Sequence, residues 1–489
     1  MRYLLLSLAF ILWHRIDLTA QKVSKYYSVE NARWADSLLS TLTLEEKIGQ
    51  LLMPRGNVSG KPHDVEKLKS WVRDYKIGGI VFFAAPPSVQ ARITNELQVK
   101  SKVPMFVGED FEWGLAMRLD STDRFPYAMS LGAMTGDDEL IEAMGREVGR
   151  QCKRMGVHIN YAPVVDVNNN IDNPVINFRS FGSDKEAVAR KGIAYMRGLQ
   201  SQNVIATAKH FPGHGDTQVD SHKDLPVIAH DSVRLHTVEL YPFQSLINAG
   251  VGGIMTAHLN VPVLDKKGGT AATFSKAIVD DLLRKKMGFT GLTFTDAMDM
   301  KGAIKNFGPG EAMVQAFLAG NDLLETFADV PVAVNALLSA VKEGRISDSL
   351  LNSRVKNILM AKAWVGLNHY QPIVLEGLVK DLNGDSTALL NRKFAEASVT
   401  LVKNEGNLLP IEDLTNRIAI VSVDGKLHND FQKQCGQYTA VDFYSFLSTD
   451  SDSLLLDLTA KLSSYDKVIV ALHLKEIRPS AKYSITDQI

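Results

Sequence analysis

Residues 204–222 have the sequence VIATAKHFPGHGDTQVDSH, in which a short apolar run is followed at once by polar side chains. The run 204–208 has the length and composition of a buried strand. Lys209 and His210 follow it without an intervening turn. The stretch therefore predicts a strand whose carboxyl end carries polar groups, and it decides the fold because the same arrangement recurs along the chain.

Short apolar runs return every few tens of residues between positions 36 and 367, with helix-like stretches between them. Eight runs are candidate strands: 48–53, 78–83, 105–108, 158–164, 204–208, 253–256, 292–295 and 322–324. Residues 137–155 and 185–200 have apolar side chains at helical spacing. This alternation of strands and helices predicts an α/β protein with a (β/α)8 TIM-type barrel, and a doubly wound sheet is the alternative.

Polar residues follow these runs at the same relative position. Those at or just beyond the carboxyl ends of the runs are Asp110, Asp166, Lys209, His210, His258, Asp296 and Glu325. In a parallel barrel all carboxyl ends lie on one rim, so residues far apart in sequence converge around one pocket. Some of them, including Asp166, His258 and Glu325, could equally stabilise loops through turn and hydrogen-bond chemistry.

The pattern changes after Leu367, where Pro372 and the polar stretch 381–387 are typical of a linker. We therefore place the barrel domain at residues 36–367, a linker at 368–390 and a second domain at 391–489. Apolar runs at 417–423 and 467–473 predict strands in that second domain. We expect a small α/β sandwich domain that is incomplete, since residues 430–458 show little regular patterning.

The bulk composition is that of a globular protein. The 489 residues are 45% hydrophobic and 22% charged, and the formal net charge is -1. No cationic field is present to attract polyanions, so nucleic acid is not an expected partner. The two cysteines, Cys152 and Cys435, cannot build a disulfide framework or a cysteine-rich metal site.

The first twenty residues have the pattern of a secretory signal peptide. Arg2 precedes the apolar run 3–13, and residues 18–20 are a candidate cleavage site. The run is too short to span a bilayer and is followed by His14, Arg15 and Asp17. We expect residues 1–20 to be removed, leaving a secreted or periplasmic protein without stable membrane insertion; a buried N-terminal helix is the alternative.

The polar loop after residue 208 contains a candidate acid/base pair. Asp220 and His222 are two residues apart, so in an extended or looped segment the carboxylate can orient the imidazole and raise its proton affinity. An imidazole titrates near neutrality, and it can therefore protonate a leaving oxygen and later deprotonate water. A loop histidine without catalytic function is the alternative interpretation of His222.

Asp296 follows the predicted strand 292–295 directly, which would place its carboxylate at the rim. A carboxylate there can attack an anomeric carbon and leave again as a stable anion, as hydrolysis with retention requires. The alternative role for Asp296 is to cap the first turn of the following helix.

The run 209–226 closely resembles the signature of the β-N-acetylglucosaminidase branch of glycoside hydrolase family 3. The resemblance covers roughly residues 36–402. It implies a barrel domain with Asp296 as nucleophile and His222 with Asp220 as acid/base dyad. It also implies that Asp110, Arg179, Lys209 and His210 bind the sugar. Phe111 and Trp113 depart from the residues that many relatives have, and they could form a sugar-stacking face.

The resemblance implies a retaining β-N-acetylhexosaminidase that acts on N-acetylglucosamine-containing glycans or muropeptides and requires no cofactor and no metal. Because a histidine acid/base lacks the fixed negative charge of a glutamate, phosphate could replace water as acceptor. Two other functions remain open. One is a metal-dependent barrel hydrolase with Lys209, His210, His214 and Asp296 as ligands, and the other is a non-catalytic glycan-binding protein.

Overall fold

The structure is a computed structural model that describes residues 24–58, 62–136, 138–220, 224–266, 269–298, 307–326, 329–474 and 476–479. The expected signal peptide at residues 1–20 and the expected acid/base residue His222 lie outside the described residues. Within the described ranges, no helix has both the length and the apolar character needed to cross a bilayer.

Eight parallel strands form the central sheet. They are β1 Leu52–Gly56, β2 Gly79–Phe82, β3 Phe106–Glu109, β4 Ile159–Asn160, β5 Ile205–Phe211, β6 Gly253–Thr256, β7 Leu292–Thr295 and β8 Leu324–Thr326. Their order in the sheet is β7-β6-β5-β4-β3-β2-β1-β8. A parallel bridge between Phe294 and Leu323 joins β7 to the residue before β8, so the sheet curls into a nearly closed barrel.

Helices follow the strands and surround the barrel. They are Val29–Leu39, Leu44–Gly49, Pro62–Tyr75, Pro87–Lys100, Ala128–Gly132, Asp138–Arg154, Lys185–Gln200, Ser232–Arg234, Leu235–Glu239, Leu240–Asn248, Ala277–Lys286, Pro309–Ala319, Val330–Lys342 and Asp348–Trp364. Short 3-10 helices span Leu115–Met117, Asn177–Arg179, Ala272–Phe274 and Leu367–His369. Parallel strands with helices outside them confirm the predicted (β/α)8 barrel.

The helices Asp138–Arg154 and Lys185–Gln200 form a close pair, and both were predicted from their apolar spacing. Asp184 caps the second helix, since its side chain accepts a hydrogen bond from the backbone N–H of Ala187. A Cβ atom on Gly198 would lie 2.2 Å from the carbonyl oxygen of Glu142 in the first helix. Glycine at this position therefore lets the two backbones approach.

The first strand begins later than predicted. Residues 48–53 form one apolar run, but Ile48 belongs to the helix Leu44–Gly49 and β1 begins at Leu52. A capping box fixes the start of that helix, because Thr43 and Glu46 each bond the backbone N–H of the other. Since both segments are buried, hydrophobicity alone could not divide the run at this point.

Two other strands, β4 and β5, differ most in length from their predicted ranges. β4 contains only Ile159–Asn160. β5 continues to Phe211, so Lys209 and His210 lie inside the strand and not beyond it. The pairing of β5 with β6 is irregular between Ala208 and Phe211. Both polar residues remain buried at the carboxyl end of the barrel.

A smaller parallel sheet follows the barrel. Its central strand β9 Ile418–Val423 pairs with β10 Val441–Phe446 on one side and β11 Lys467–Leu472 on the other. The helices Asp430–Cys435 and Asp452–Leu462 connect these strands, and Val421, Val423 and Phe446 form a separate small core. The second domain is therefore a small α/β unit with its own sheet.

Residues 368–390, expected to be a linker, contain the helix Leu378–Leu382 and the start of the helix Asp385–Ser398. Leu378, Leu382 and Phe394 are buried within the core of the barrel. Their apolar side chains hold this segment against the helices outside the sheet. The exact domain boundaries stay a prediction.

Candidate active site

Four charged side chains meet at the carboxyl end of the barrel. Lys209 Nζ lies 2.6 Å from Asp110 Oδ1 and 2.8 Å from Glu112 Oε1. Arg179 holds Glu112 by two parallel bonds, with Nη2 at 2.6 Å from Oε1 and Nε at 2.9 Å from Oε2. We call Asp110, Glu112, Arg179 and Lys209 the rim network. It joins the segment after β3, the loop after β4 and the end of β5.

Lys209 is buried and the other members of the rim network are mostly buried, yet its carboxylates are ionised at neutral pH. Burial alone would raise the pKa of Glu112, but the charges of Arg179 and Lys209 outweigh it and hold this pKa at about 2. Asp110 likewise has its pKa lowered, because Lys209 and Arg118 outweigh its burial. The pKa of Lys209 is raised by the two carboxylates despite the burial of its ammonium group.

Two residues of this site were missed by the sequence analysis. Glu112 bridges Lys209 and Arg179, and Arg118 forms an ion pair with Asp110. Both lie within ten residues of β3, in the segment that follows Asp110 directly. The concentration of charged residues after a buried strand could have marked both as site residues. The sequence spacing could not show which side chains they pair with.

His210 is held by a buried carboxylate. Its Nδ1 lies 2.7 Å from Asp166 Oδ2, and Arg179 Nη2 lies 3.3 Å from its Nε2. Because a guanidinium can only donate, Nε2 accepts and Nδ1 carries the proton that Asp166 accepts. Asp166 also accepts the backbone N–H of His214 at 2.7 Å. Asp166 therefore orients His210 and also supports the loop. Loop support is the alternative role that the sequence analysis gave for Asp166.

Asp296 lies directly after β7 and is partly exposed at the barrel mouth. Its backbone N–H donates to Thr256 O at 3.0 Å, and its Oδ1 accepts the N–H of Ala297 at 2.7 Å. Burial raises the pKa of Asp296, but the nearby His258 and His210, with the Ala297 N–H, outweigh this and lower the pKa. The carboxylate is consequently an anion at neutral pH.

His258 holds the loop that begins at Asp296. Its Nε2 lies 3.0 Å from the carbonyl oxygen of Ala297, which cannot donate, so Nε2 carries the proton. Its Nδ1 lies 3.1 Å from Thr273 Oγ1. The imidazole thus fixes the backbone next to the carboxylate of Asp296.

The segment with the expected dyad is described in part. Asp220 is partly exposed, and its carbonyl oxygen accepts the N–H of Asp224 at 3.2 Å. Asp216 and His230 lie on either side of this segment, and Asp216 Oδ2 is 2.8 Å from His230 Nε2. Since His222 is outside the described residues, its pairing with Asp220 and its distance from Asp296 stay predictions.

The expected stacking face is divided between core and surface. Phe111 is fully buried and cannot stack on a ligand, which corrects the expectation for this residue. Its backbone is held by Asn160 and Tyr195, which explains its inward position. Trp113 is partly exposed and packs edge-on against Tyr127, with ring centroids 4.9 Å apart.

The residues suggested as metal ligands have other partners. Lys209 is a paired cation, and His210 bonds Asp166 and Arg179 through its two nitrogens. Among the described residues, Asp216, His230 and Glu239 could supply three ligand atoms within 4.8 Å of one another. Arg234 lies among them, 3.0 Å from Glu239 Oε1, so a cation already occupies this cluster.

Removing the Glu112 charge is expected to destabilise the protein. Glu112→Gln removes the carboxylate that pairs with Arg179 and leaves Lys209 with Asp110 alone. Breaking a buried ion pair typically costs about 3–5 kcal/mol. Chemical denaturation at neutral pH measures this loss. Since the folded pKa of Glu112 is lowered to about 2, the difference from wild type is complete above the ordinary carboxyl pKa and shrinks as the pH falls.

Glu396→Gln is the matched control, because Glu396 pairs with Arg392 on an exposed helix face. We expect little change in its denaturation midpoint. Equal midpoints for the two variants would contradict a structural role of the rim network.

Comparison with known proteins identifies the family. The model of the glycosyl hydrolase family 3 N-terminal domain matches residues 43–361. The β-hexosaminidase A of Pseudoalteromonas piscicida is 32% identical, over 82% of this chain and 69% of that protein. A β-N-acetylglucosaminidase/β-glucosidase of Cellulomonas fimi is 28% identical, over 81% of this chain and 70% of that protein.

A solved structure agrees with these relatives. A glycoside hydrolase family 3 β-N-acetylglucosaminidase from a Paenibacillus species superposes with a TM-score of 0.75 at 31% identity. The match covers 92% of this chain and 89% of that one. These similarities confirm the resemblance inferred from residues 209–226, and the chain therefore belongs to glycoside hydrolase family 3 and is a glycoside hydrolase.

Proposed function

We propose that this glycosidase is a retaining β-N-acetylhexosaminidase that hydrolyses terminal N-acetyl-β-glucosaminides. The observation that carries the proposal is the carboxylate of Asp296, which is ionised and partly exposed at the same mouth as the rim network. The names of the relatives support an N-acetylglucosamine substrate. Muropeptides and other N-acetylglucosamine-containing glycans are the expected substrate class, and no cofactor is invoked.

The sugar is proposed to bind against the rim network. Asp110, Lys209 and Arg179 offer charged donors and acceptors that their partners hold rigid, and His210 is oriented by Asp166. Hydrogen bonds from such preorganised groups can fix the hydroxyls of a ring without first paying to order the side chains. The anomeric carbon would then lie over Asp296.

Double displacement follows from this arrangement. Asp296 attacks the anomeric carbon while His222 protonates the departing glycosidic oxygen, and a covalent glycosyl ester forms. His222, oriented by Asp220, then deprotonates a water molecule that attacks the ester carbon. The ester bond breaks, Asp296 leaves as a carboxylate, and the sugar is released with its β configuration retained.

Of the other two functions, the glycan-binding protein is set aside because the chain belongs to a family of glycosidases. The metal-dependent hydrolase would need Lys209 as a ligand, but Lys209 is a cation held by two carboxylates. We further propose that the protein acts outside the cytoplasm after removal of residues 1–20.

Kinetics of single variants test the catalytic roles. With a chromogenic N-acetyl-β-glucosaminide, Asp296→Ala is expected to lower kcat by about 10³-fold or more, because no covalent ester can form. His222→Ala is expected to lose about 10²- to 10⁴-fold on a substrate whose leaving group needs protonation, and much less on one with a dinitrophenyl leaving group. Asp74→Asn, at an exposed ion pair outside the mouth, is the control.

Added azide further distinguishes the loss of the nucleophile from the loss of the acid/base residue. In Asp296→Ala it can take the place of the carboxylate, and the product would be an α-glycosyl azide. Unchanged rates in both variants would overturn the assignment of nucleophile and acid/base.

The acceptor in the second step is a separate question. We propose that phosphate can replace water, because a neutral imidazole repels an anion less than a carboxylate base would. Incubation of the enzyme and substrate with phosphate is then expected to yield the sugar 1-phosphate, detected by mass spectrometry or phosphorus NMR. Release of free sugar alone at high phosphate concentration would limit the enzyme to hydrolysis.

A further inference from the structure

Glu325 is a buried carboxyl group that the proposed mechanism does not use. It lies on β8, next to β7, and only 6% of the residue is exposed. Its backbone N–H donates to Thr295 Oγ1 at 2.9 Å, and its carbonyl oxygen accepts the N–H of Met298 at 3.2 Å. Both bonds tie Glu325 to the segment that carries Asp296, so its position relative to that carboxylate is fixed.

The carboxyl of Glu325 interacts electrostatically with four charged groups at the barrel mouth. The charged groups that act on its carboxyl are Asp110, Asp296, Lys209 and Arg118, which come from β5 and from the segments after β3 and β7. These groups face the mouth from three sides. Lys209 and Arg118 are already paired with Asp110, and no described residue hydrogen-bonds the carboxyl of Glu325.

The pKa values of the two neighbouring carboxyls are shifted in opposite directions. Burial, together with the charges of Asp110 and Asp296, raises the pKa of Glu325 well above its ordinary value. Asp296 instead has its pKa lowered, by His258 and His210 against the effect of burial. These opposite shifts favour a protonated Glu325 beside an ionised Asp296, and a protonated carboxyl has an O–H group to donate.

We propose that Glu325 is a substrate-binding residue that donates a hydrogen bond from an uncharged carboxylic acid to an oxygen of the sugar bound over Asp296. The inference rests on the proposed function, since it needs a sugar at this mouth. A bound sugar offers hydroxyl and carbonyl oxygens that accept such a bond. An uncharged donor also avoids adding a third anion beside Asp110 and Asp296.

The main alternative is that Glu325 only fills space between β8 and the centre of the barrel. A space-filling role requires the volume of the side chain but not its O–H group. If Glu325 donates a hydrogen bond, a donor of the same shape can replace the acid but an apolar group cannot. If Glu325 only fills space, an apolar group of similar volume can replace it as well.

Two substitutions at this position separate the roles. Glu325→Gln keeps a hydrogen-bond donor, and KM for the chromogenic N-acetyl-β-glucosaminide should stay within about threefold of wild type. Glu325→Leu removes the donor, and KM should rise by about tenfold, the equivalent of one lost hydrogen bond. The inhibition constant of free N-acetylglucosamine should rise in parallel, because it reports binding of the sugar without the chemical step.

Glu109→Gln is the matched control. Glu109 is also fully buried, and burial raises its pKa to about 8. Its carboxyl, however, accepts a hydrogen bond from Gln90 of the helix Pro87–Lys100. The change from an acid to an amide at Glu109 should leave KM and the inhibition constant of N-acetylglucosamine unaltered. Thermal melts establish that each variant is folded, and Glu325→Met replaces Glu325→Leu if the leucine variant melts early.

The outcomes are decisive in either direction. A folded apolar variant with the KM and inhibition constant of wild type would overturn the inference, as would a glutamine variant as impaired as the apolar one. Wild-type enzyme without activity on the N-acetyl-β-glucosaminide would instead refute the proposed function, and the inference with it. An active wild-type enzyme, together with Glu325 variants whose KM and inhibition constant match those of wild type, would refute the inference alone.

Discussion

Two buried cations can be held at the mouth of this barrel only because two carboxylates neutralise them there. Lys209 comes from β5 and Arg179 from the loop after β4, whereas Asp110 and Glu112 both follow β3. A buried charge without a partner would be too costly to keep, so each of these side chains depends on the others for its position. The rim network thus ties the segment after β3, the loop after β4 and the end of β5 together at the place where a sugar is expected to bind.

The same mouth holds two carboxyls in opposite states. Asp296 accepts the N–H of Ala297 and has two histidines close by, which favour its anion. Glu325, one strand away, has no such support: its burial and the charges of Asp110 and Asp296 outweigh the opposing charges of Lys209 and Arg118. The contrast gives one group the charge of a nucleophile and the other the proton of a donor, although both acids lie at the carboxyl ends of neighbouring strands.

The sequence predicted the barrel because its strands end in polar residues and its helices have clear apolar spacing. The convergence of Asp110 and Lys209 followed from the rule that carboxyl ends share a rim, whereas Arg179 was expected there only from the family resemblance. The bridging role of Glu112 did not follow, since side-chain pairing across loops has no signature in spacing. The start of β1 was misplaced because a buried helix and a buried strand adjoin within one apolar run, even though Thr43 and Glu46 marked the helix.

Trapping of the covalent intermediate tests the central claim most directly. A 5-fluoro N-acetylglucosaminyl fluoride should form the glycosyl ester quickly and release it slowly, because the fluorine destabilises both transition states while fluoride is a good leaving group. Mass spectrometry of the intact protein should then show the addition of one sugar, and peptide mapping should place it on Asp296. A label on another carboxylate, such as Glu325 or Asp110, would contradict this account. Turnover of the fluoride without any labelled protein would contradict it as well.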